Sequence, residues 1–107
     1  MANAFKNAGV AVLATRTTLY TCPSATEAVV HALYISNVDG TNSADITVEA
    51  TIDGGTTYRT IIQAAPVPAG GTIVFDKPIN LEASDILAVT ASVASDLESF
   101  ASVLEIT

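Results

Sequence analysis

The sequence predicts an all-β fold, a single-domain antiparallel β-sandwich of jelly-roll type with seven or eight strands. Three observations support this prediction. Valine, isoleucine and threonine, which suit a pleated surface, are abundant, while the helix formers lysine, arginine and glutamine are scarce. Apolar and polar residues alternate along the clearest segment, and turn residues recur about every ten positions.

The chain is 107 residues long, which suits one domain with its own core. Residues 1–9 precede the first strong strand pattern, and we expect them to form an N-terminal arm that lies on a neighbouring subunit, with Phe5 as its anchor. A frayed terminus is the alternative, because chain ends are commonly poorly ordered. Residues 10–107 form the β-sandwich domain in this interpretation.

Residues 45–53 give the clearest strand signal. The even positions from Ile46 to Ile52 are apolar and the odd positions are polar, so one face of the strand is predicted to be buried. The triplet Asp53-Gly54-Gly55 follows and accepts the positive φ angles of a tight reversal. Residues 57–63 then return as the second strand of a hairpin.

The other strands have weaker signals. Residues 9–15 and 17–22 predict two short strands or one bent strand, which ends at Pro23. Residues 27–38 form a long strand that is apolar on both faces. Further strands are predicted at 72–76, 86–93 and 97–107, with turn residues between them.

Residues 94–104 also fit a helix. Their apolar residues Leu97, Phe100, Ala101 and Leu104 lie at helical spacing. The chain ends in Val-Leu-Glu-Ile-Thr, which alternates, and we therefore favour a strand.

The charge excludes several classes of partner. Eleven acidic residues against four basic ones give a formal charge of −7, too acidic for the basic face that nucleic-acid binding requires. An anionic membrane surface would repel the chain, and no apolar run approaches the roughly 20 residues of a spanning helix. We therefore expect neither a nucleic-acid nor a membrane partner.

The candidate reactive residues lack partners in the sequence. His31 is the single histidine and Cys22 the single cysteine, so neither a metal cluster nor an internal disulfide is indicated, and an inert buried thiol is the simpler interpretation of Cys22. The Asp39, Asn42 and Asp45 loop could bind Ca²⁺, but these residues are also ordinary turn formers. No nucleophile elbow or phosphate-binding loop occurs. We expect no enzyme activity, no cofactor and no metal site.

Excess apolar surface predicts association instead. The strands at 27–38 and 86–93 are apolar on both faces or nearly so, whereas a monomeric sandwich keeps its outward positions polar. Two basic residues could pair with carboxylates of a neighbouring subunit. The candidate interface residues are Phe5, His31, Tyr34, Arg59 and Lys77.

Several short motifs resemble a known group of proteins. Residues 18–24 (TLYTCPS) and 28–37 (AVVHALYISN) resemble the opening of many small virion proteins of tailed bacteriophages, in which a Pro/Ser turn joins a strand to a long strand. Residues 81–92 (LEASDILAVTAS) are similar to their later motif, with Ser84 where glycine is usual, and Leu104-Glu105 is similar to their closing strand. Among them, a small all-β domain most resembles the capsid decoration (cement) proteins.

This resemblance implies a structural role in the virion. Such proteins sit as homotrimers or other small oligomers on the outer surface of the capsid, where they bind the major capsid protein and stabilise contacts between capsomers. The resemblance implies synthesis in the host cytoplasm and no catalytic residue. A tail, neck or fibre component acting as adaptor or host-recognition module is the alternative. A carbohydrate-binding module using Tyr20, Tyr34 or Tyr58 is a further one.

Overall fold

The computed structural model describes residues 2–107, and within them it contains nine β-strands and no helix. The predicted all-β antiparallel sandwich is confirmed, with nine strands in place of seven or eight. The additional strand lies among the turn residues between the strands predicted at 72–76 and 86–93, where Pro78 separates two short edge strands. The strands are β1 (Asn3–Val12), β2 (Thr17–Thr21), β3 (Glu27–Asn37), β4 (Ala44–Thr51), β5 (Arg59–Val67), β6 (Thr72–Phe75), β7 (Ile79–Leu81), β8 (Ile86–Ala91) and β9 (Leu97–Ile106).

The strands form two antiparallel sheets. The five-stranded sheet has the order β1-β9-β3-β6, with β7 also paired to β3, and the four-stranded sheet has the order β2-β8-β4-β5. Most neighbours within a sheet are distant in the sequence, as in jelly rolls and other Greek-key sandwiches. The chain therefore crosses repeatedly between the two layers, and one core is enclosed between them.

The core is built from inward side chains of both sheets. Strand β3 contributes Val30, Leu33 and Ile35, which are fully buried. The facing sheet contributes a matching set, and the thiol of Cys22 is also buried, as expected for an inert cysteine. The remaining fully buried large apolar side chains are Val12, Ile46, Val48, Val67, Leu87, Val89, Leu97 and Val103.

The predicted hairpin is confirmed, because β4 pairs with β5 in antiparallel register. The burial prediction for Ile52 is wrong: its side chain is 75% exposed, whereas its neighbour Thr51 is fully buried. The Thr51 hydroxyl donates to Asp53 Oδ1 and accepts a hydrogen bond from the backbone N–H of Gly55. These contacts turn the chain after Thr51, so the alternation stops one residue before Ile52.

The first strand begins earlier than the sequence pattern indicates. Strand β1 pairs with β9 without interruption from Asn3 to Val12, so the boundary expected at residue 9 lies inside a strand. Pairing with β9 satisfies the backbone N–H and C=O groups of every second residue in this segment, although most of its side chains are exposed. Met1, the first residue of the expected arm, lies outside the described residues.

The segment with two interpretations, residues 94–104, is a strand from Leu97 onward and a turn before it. Residues from Leu97 onward form β9, the centre of the five-stranded sheet between β1 and β3. Residues 2–107 include no helix of the length and apolarity that crossing a membrane requires.

Candidate interaction surface

The outer face of the five-stranded sheet carries a row of exposed apolar side chains. Phe100 on β9 lies opposite Gly9 on β1 and opposite Tyr34 on β3, and Tyr34 lies opposite Val74 on β6. Residues opposite one another point to the same face of a sheet. Three of these side chains are substantially exposed: Val74 by 53%, Phe100 by 45% and Tyr34 by 39%.

The two aromatic rings of this row are in contact. The centroids of Tyr34 and Phe100 lie 6.3 Å apart with the rings tilted by 55°, a favourable arrangement for an aromatic pair. A shallow depression of about 390 Å³ opens beside the pair, between Gly9, Ser36 and Glu98. The surface therefore combines a ridge of two rings with an adjoining hollow.

A second aromatic contact lies further along the same face. Phe5 is 81% exposed, and its ring stacks with the imidazole of His31 at 6.3 Å between centroids and 15° between planes. Leu104 on the intervening strand β9 lies opposite both Phe5 on β1 and Val29 on β3. We call the five residues Phe5, His31, Tyr34, Val74 and Phe100 the aromatic face.

The position of His31 results from a β-bulge. Strict alternation predicts that His31 shares a face with Val29 and Leu33, but the pairing of β3 with β9 shifts register between Val30 and Ala32. Leu33 is therefore buried in the core, whereas His31 is exposed. The extra residue of a bulge re-aims a side chain in this way.

The outer face of the four-stranded sheet is polar. The guanidinium of Arg16 binds Glu49 through two hydrogen bonds, with Nε–Oε1 at 3.1 Å and Nη2–Oε2 at 3.2 Å. The same guanidinium lies 3.7 Å from the ring centroid of Tyr58. Thr47 and Thr90 lie opposite each other nearby. The two outer faces therefore differ: among residues 2–107, only the aromatic face exposes a set of large apolar side chains in register.

Three of the five predicted interface residues come together on this face: Phe5, His31 and Tyr34. Arg59 and Lys77 do not. Arg59 begins β5 in the other sheet and Lys77 lies between β6 and β7, both exposed and, among residues 2–107, without an ion pair. Their predicted pairing with a neighbouring subunit stays a prediction.

Sequence reasoning missed Val74 and Phe100. The signal for Phe100 was the polar pair Glu98 and Ser102, which flank it at strand spacing and mark an outward position. The alignment of Phe100 with Tyr34 depends on the register of β3 against β9, strands that are about sixty residues apart in the sequence.

Asp39 and Cys22 have shifted pKa values, and local hydrogen bonding or burial explains each shift. Hydrogen bonds from the backbone of Thr41 and from Asn42 lower the pKa of Asp39, whose carboxylate caps its own loop. Burial raises the pKa of the Cys22 thiol, which donates to the carbonyl of Thr26. In the part of the chain that the structure describes, no three His, Cys, Asp or Glu side chains are grouped to hold a metal ion.

The three tyrosines lie in different surroundings. The Tyr20 hydroxyl donates to Glu105, and burial, followed by this hydrogen bond, raises the pKa of the phenol. Tyr58 lies under Arg16, and Tyr34 belongs to the aromatic face. The three tyrosines therefore do not share one surface, and the carbohydrate-binding alternative, which needs only one of them, stays a prediction.

Comparisons with known proteins identify the fold. No family model matches the chain, and no curated protein matches it. A solved structure of the pili of Bacillus endospore appendages is 17% identical, with a TM-score of 0.58 over 99% of this chain and 87% of that one. The capsid structure of Helicobacter pylori bacteriophage KHP30 is 13% identical, with a TM-score of 0.56 over 100% of this chain and 89% of that one.

A third similar structure is a pentameric capsid protein isolated from metagenomic phage sequences. It is 21% identical to this chain, with a TM-score of 0.50, and the match covers 91% of this chain and 59% of that one. These likenesses place the chain among β-sandwiches of the kind found in viral capsid and pilus proteins. At these identities they concern the fold.

Proposed function

We propose that this chain is a non-enzymatic structural protein of a virus particle, and specifically a capsid decoration protein that binds the outer surface of a phage head. The observation that carries the proposal is the aromatic face, an exposed apolar row on a chain whose opposite face is polar. The fold is shared with phage capsid proteins, and the sequence motifs resemble small virion proteins.

The geometry suits a role in adhesion. The molecule is a thin slab, with extents of 47 × 27 × 19 Å, and a flat sheet face can lie against a shell over a wide area. Aromatic side chains at the centre of an interface contribute most of its binding free energy, while polar residues around them exclude water. Tyr34 and Phe100 occupy such a central position, between Gly9 on one side and Val74 on the other.

The charge supports an external position. The formal charge of −7 would oppose binding inside a shell that holds packaged, polyanionic nucleic acid. Many copies acting together on one particle would add their individual contact energies to the free energy that rupture of the shell must overcome.

The experiment is binding of purified protein to head particles that lack it. Phe100→Ser is expected to weaken binding at least about ten-fold, because truncation of a central aromatic residue at an interface costs about 2 kcal/mol or more. Val74→Ser is expected to weaken it less. Val93→Ser, at a similarly exposed valine outside the aromatic face, is the matched control and should bind normally. Equal binding by Phe100→Ser and Val93→Ser would contradict the proposal.

The number of copies of this chain per particle distinguishes a head decoration protein from a tail, neck or fibre component. Occupancy of hundreds of copies per particle indicates decoration, whereas a dozen or fewer indicates the tail, neck or fibre role. The trimer implied by the resemblance stays a prediction, which sedimentation of the free protein tests.

A further inference from the structure

The sheet edges of this molecule differ in how they are protected. Exposed edges invite pairing with another chain, and short strands, bulges and prolines normally prevent it. Strand β5 contains Pro66 and shifts register twice against β4, and β2 is five residues long with a register shift against β8. On the far side of β3, β6 and β7 are four and three residues long and are separated by Pro78.

Of the features that protect a sheet edge, strand β1 has one, the single charged side chain Lys6. It is ten residues long, contains no proline, and pairs with β9 in unbroken register along its whole length. It ends the strand order of its sheet, so its other side is open. Residues 3–7, 9 and 11 are all exposed.

The free backbone groups on this edge can be assigned. Ala2 and Thr107 exchange two backbone hydrogen bonds, each of 2.9 Å, at the end of the β1–β9 ladder. Because hydrogen-bonded and non-bonded pairs alternate in an antiparallel ladder, the even residues of β1 bond to β9. The N–H and C=O groups that point outward from the open edge therefore belong to Asn3, Phe5, Asn7, Gly9 and Ala11.

The charge distribution permits a second copy of this chain at this edge. All eleven carboxylates lie in residues 27–107, and residues 1–26 carry Lys6 and Arg16 as their only charged side chains. Two copies with a formal charge of −7 can therefore meet along β1 without placing the carboxylate of one strand against that of the other.

Gly9 provides an independent observation. Its φ is not in the left-handed region, and an added Cβ would lie 3.5 Å from Ser99 O and 3.6 Å from the Phe100 ring, which are ordinary contacts. The single chain therefore does not require glycine here, although glycine weakens a strand interior.

We propose that β1 pairs antiparallel with β1 of a second copy, about a two-fold axis through Asn7. In this register Asn7 lies opposite Asn7 of the partner subunit, Phe5 opposite Gly9, and Asn3 opposite Ala11. All five outward-facing residues then form hydrogen-bonded pairs. Because Gly9 has no side chain, the residue opposite Phe5 in this register leaves the Phe5 ring free to stay stacked on His31 of its own chain.

This pairing joins the two five-stranded sheets into one continuous sheet. A two-fold axis perpendicular to the sheet keeps both aromatic faces on the same side, so one dimer presents two copies of the binding surface. The inference deepens the self-association in the proposed function. It is tested on the free protein, so its failure is distinguishable from a failure of particle binding. It is also compatible with a separate three-fold contact, since two-fold and three-fold axes combine in closed assemblies.

A pair of cysteine variants tests the register. Opposite residues in a hydrogen-bonded pair have Cα atoms about 5.5 Å apart, within disulfide range, so Asn7→Cys should cross-link to a dimer under mild oxidation. In the same register, Asn3 lies opposite Ala11 of the partner subunit, eight residues from the partner's Asn3. The two Asn3 residues are therefore about 27 Å apart at roughly 3.4 Å per residue, and Asn3→Cys should not form the cross-link. Thiols held opposite each other have an effective concentration of about 1 mM, whereas thiols that meet by collision react at the protein concentration of about 10 μM. The Asn7→Cys variant should therefore cross-link about 100-fold faster than the Asn3→Cys variant.

A second pair of variants tests the backbone bonds. Asn7→Pro removes an outward N–H from each copy without touching the β1–β9 ladder, and should raise the dimer dissociation constant about ten- to a hundred-fold by sedimentation. Asn7→Ala keeps the N–H and should dimerise like the parent protein. Equal cross-linking of both cysteine variants, a monomeric parent protein, or β1 paired with a strand of a different protein would each overturn the proposal.

Discussion

Replacing Asn37 is expected to destabilise the molecule more than any other single polar substitution. Asn37 ends β3 and is buried, and its side chain makes three hydrogen bonds. Its Nδ2 donates to the carbonyls of Asn42 at 2.9 Å and Val67 at 3.0 Å, and its Oδ1 accepts from the N–H of Asp39 at 2.9 Å. The side chain therefore ties the end of β3 to the following loop and to the end of β5 in the other sheet.

The magnitude follows from these bonds. Each contributes about 1 kcal/mol, and Asn37→Ala leaves the carbonyl of Val67 buried with one partner fewer, so the free energy of unfolding should fall by about 3 kcal/mol. The melting temperature should fall by about 15 °C.

Urea denaturation at fixed protein concentration measures the effect, since association would otherwise shift the midpoint. Asn42→Ala is the control, because its exposed side chain bonds only to Asp39 at 3.3 Å and its loss should cost less than about 0.5 kcal/mol. A loss below about 1 kcal/mol for Asn37→Ala would refute the reasoning.

Three further predictions concern the loops and the core. The N–H of Thr57 and the hydroxyl of Thr51 lower the pKa of Asp53 to about 2, so its contribution to stability is present above about pH 4 and is lost as the pH falls towards 2. Thermal unfolding of Asp53→Asn should lack that acid dependence, and a parallel pH profile for both proteins would contradict it. Ser84 has a φ of +72°, so Ser84→Gly should stabilise the protein by about 0.5–1 kcal/mol, whereas Ser102→Gly within β9 should destabilise it. Cys22 should resist thiol reagents until the protein unfolds, and rapid labelling of the native protein would show that its burial is wrong.

Local patterns were sufficient to predict much of this fold. The alternation of Ile46 and Val48 and the Asp-Gly-Gly turn located the hairpin, because both signals act within a few residues. The burial of Ile52 was mispredicted because a side-chain hydrogen bond of Thr51 ends the strand, and such a contact leaves no periodic signal.

The aromatic face was less predictable, since it depends on register between distant strands. Phe5 was recognised as the anchor of an N-terminal arm, and His31 and Tyr34 as residues of a strand with surplus apolar surface. The stacking of Phe5 on His31 requires both the bulge after Val30 and the extension of β1 to Asn3. Neither feature follows from alternation, and so the sequence did not predict which residues form one surface.

A density map of the intact particle in which this chain can be traced tests the central claim most directly. We expect hundreds of copies on the outside of the head, with Tyr34 and Phe100 buried against another protein chain. A map in which the chain is present with these two rings facing solvent would contradict the account.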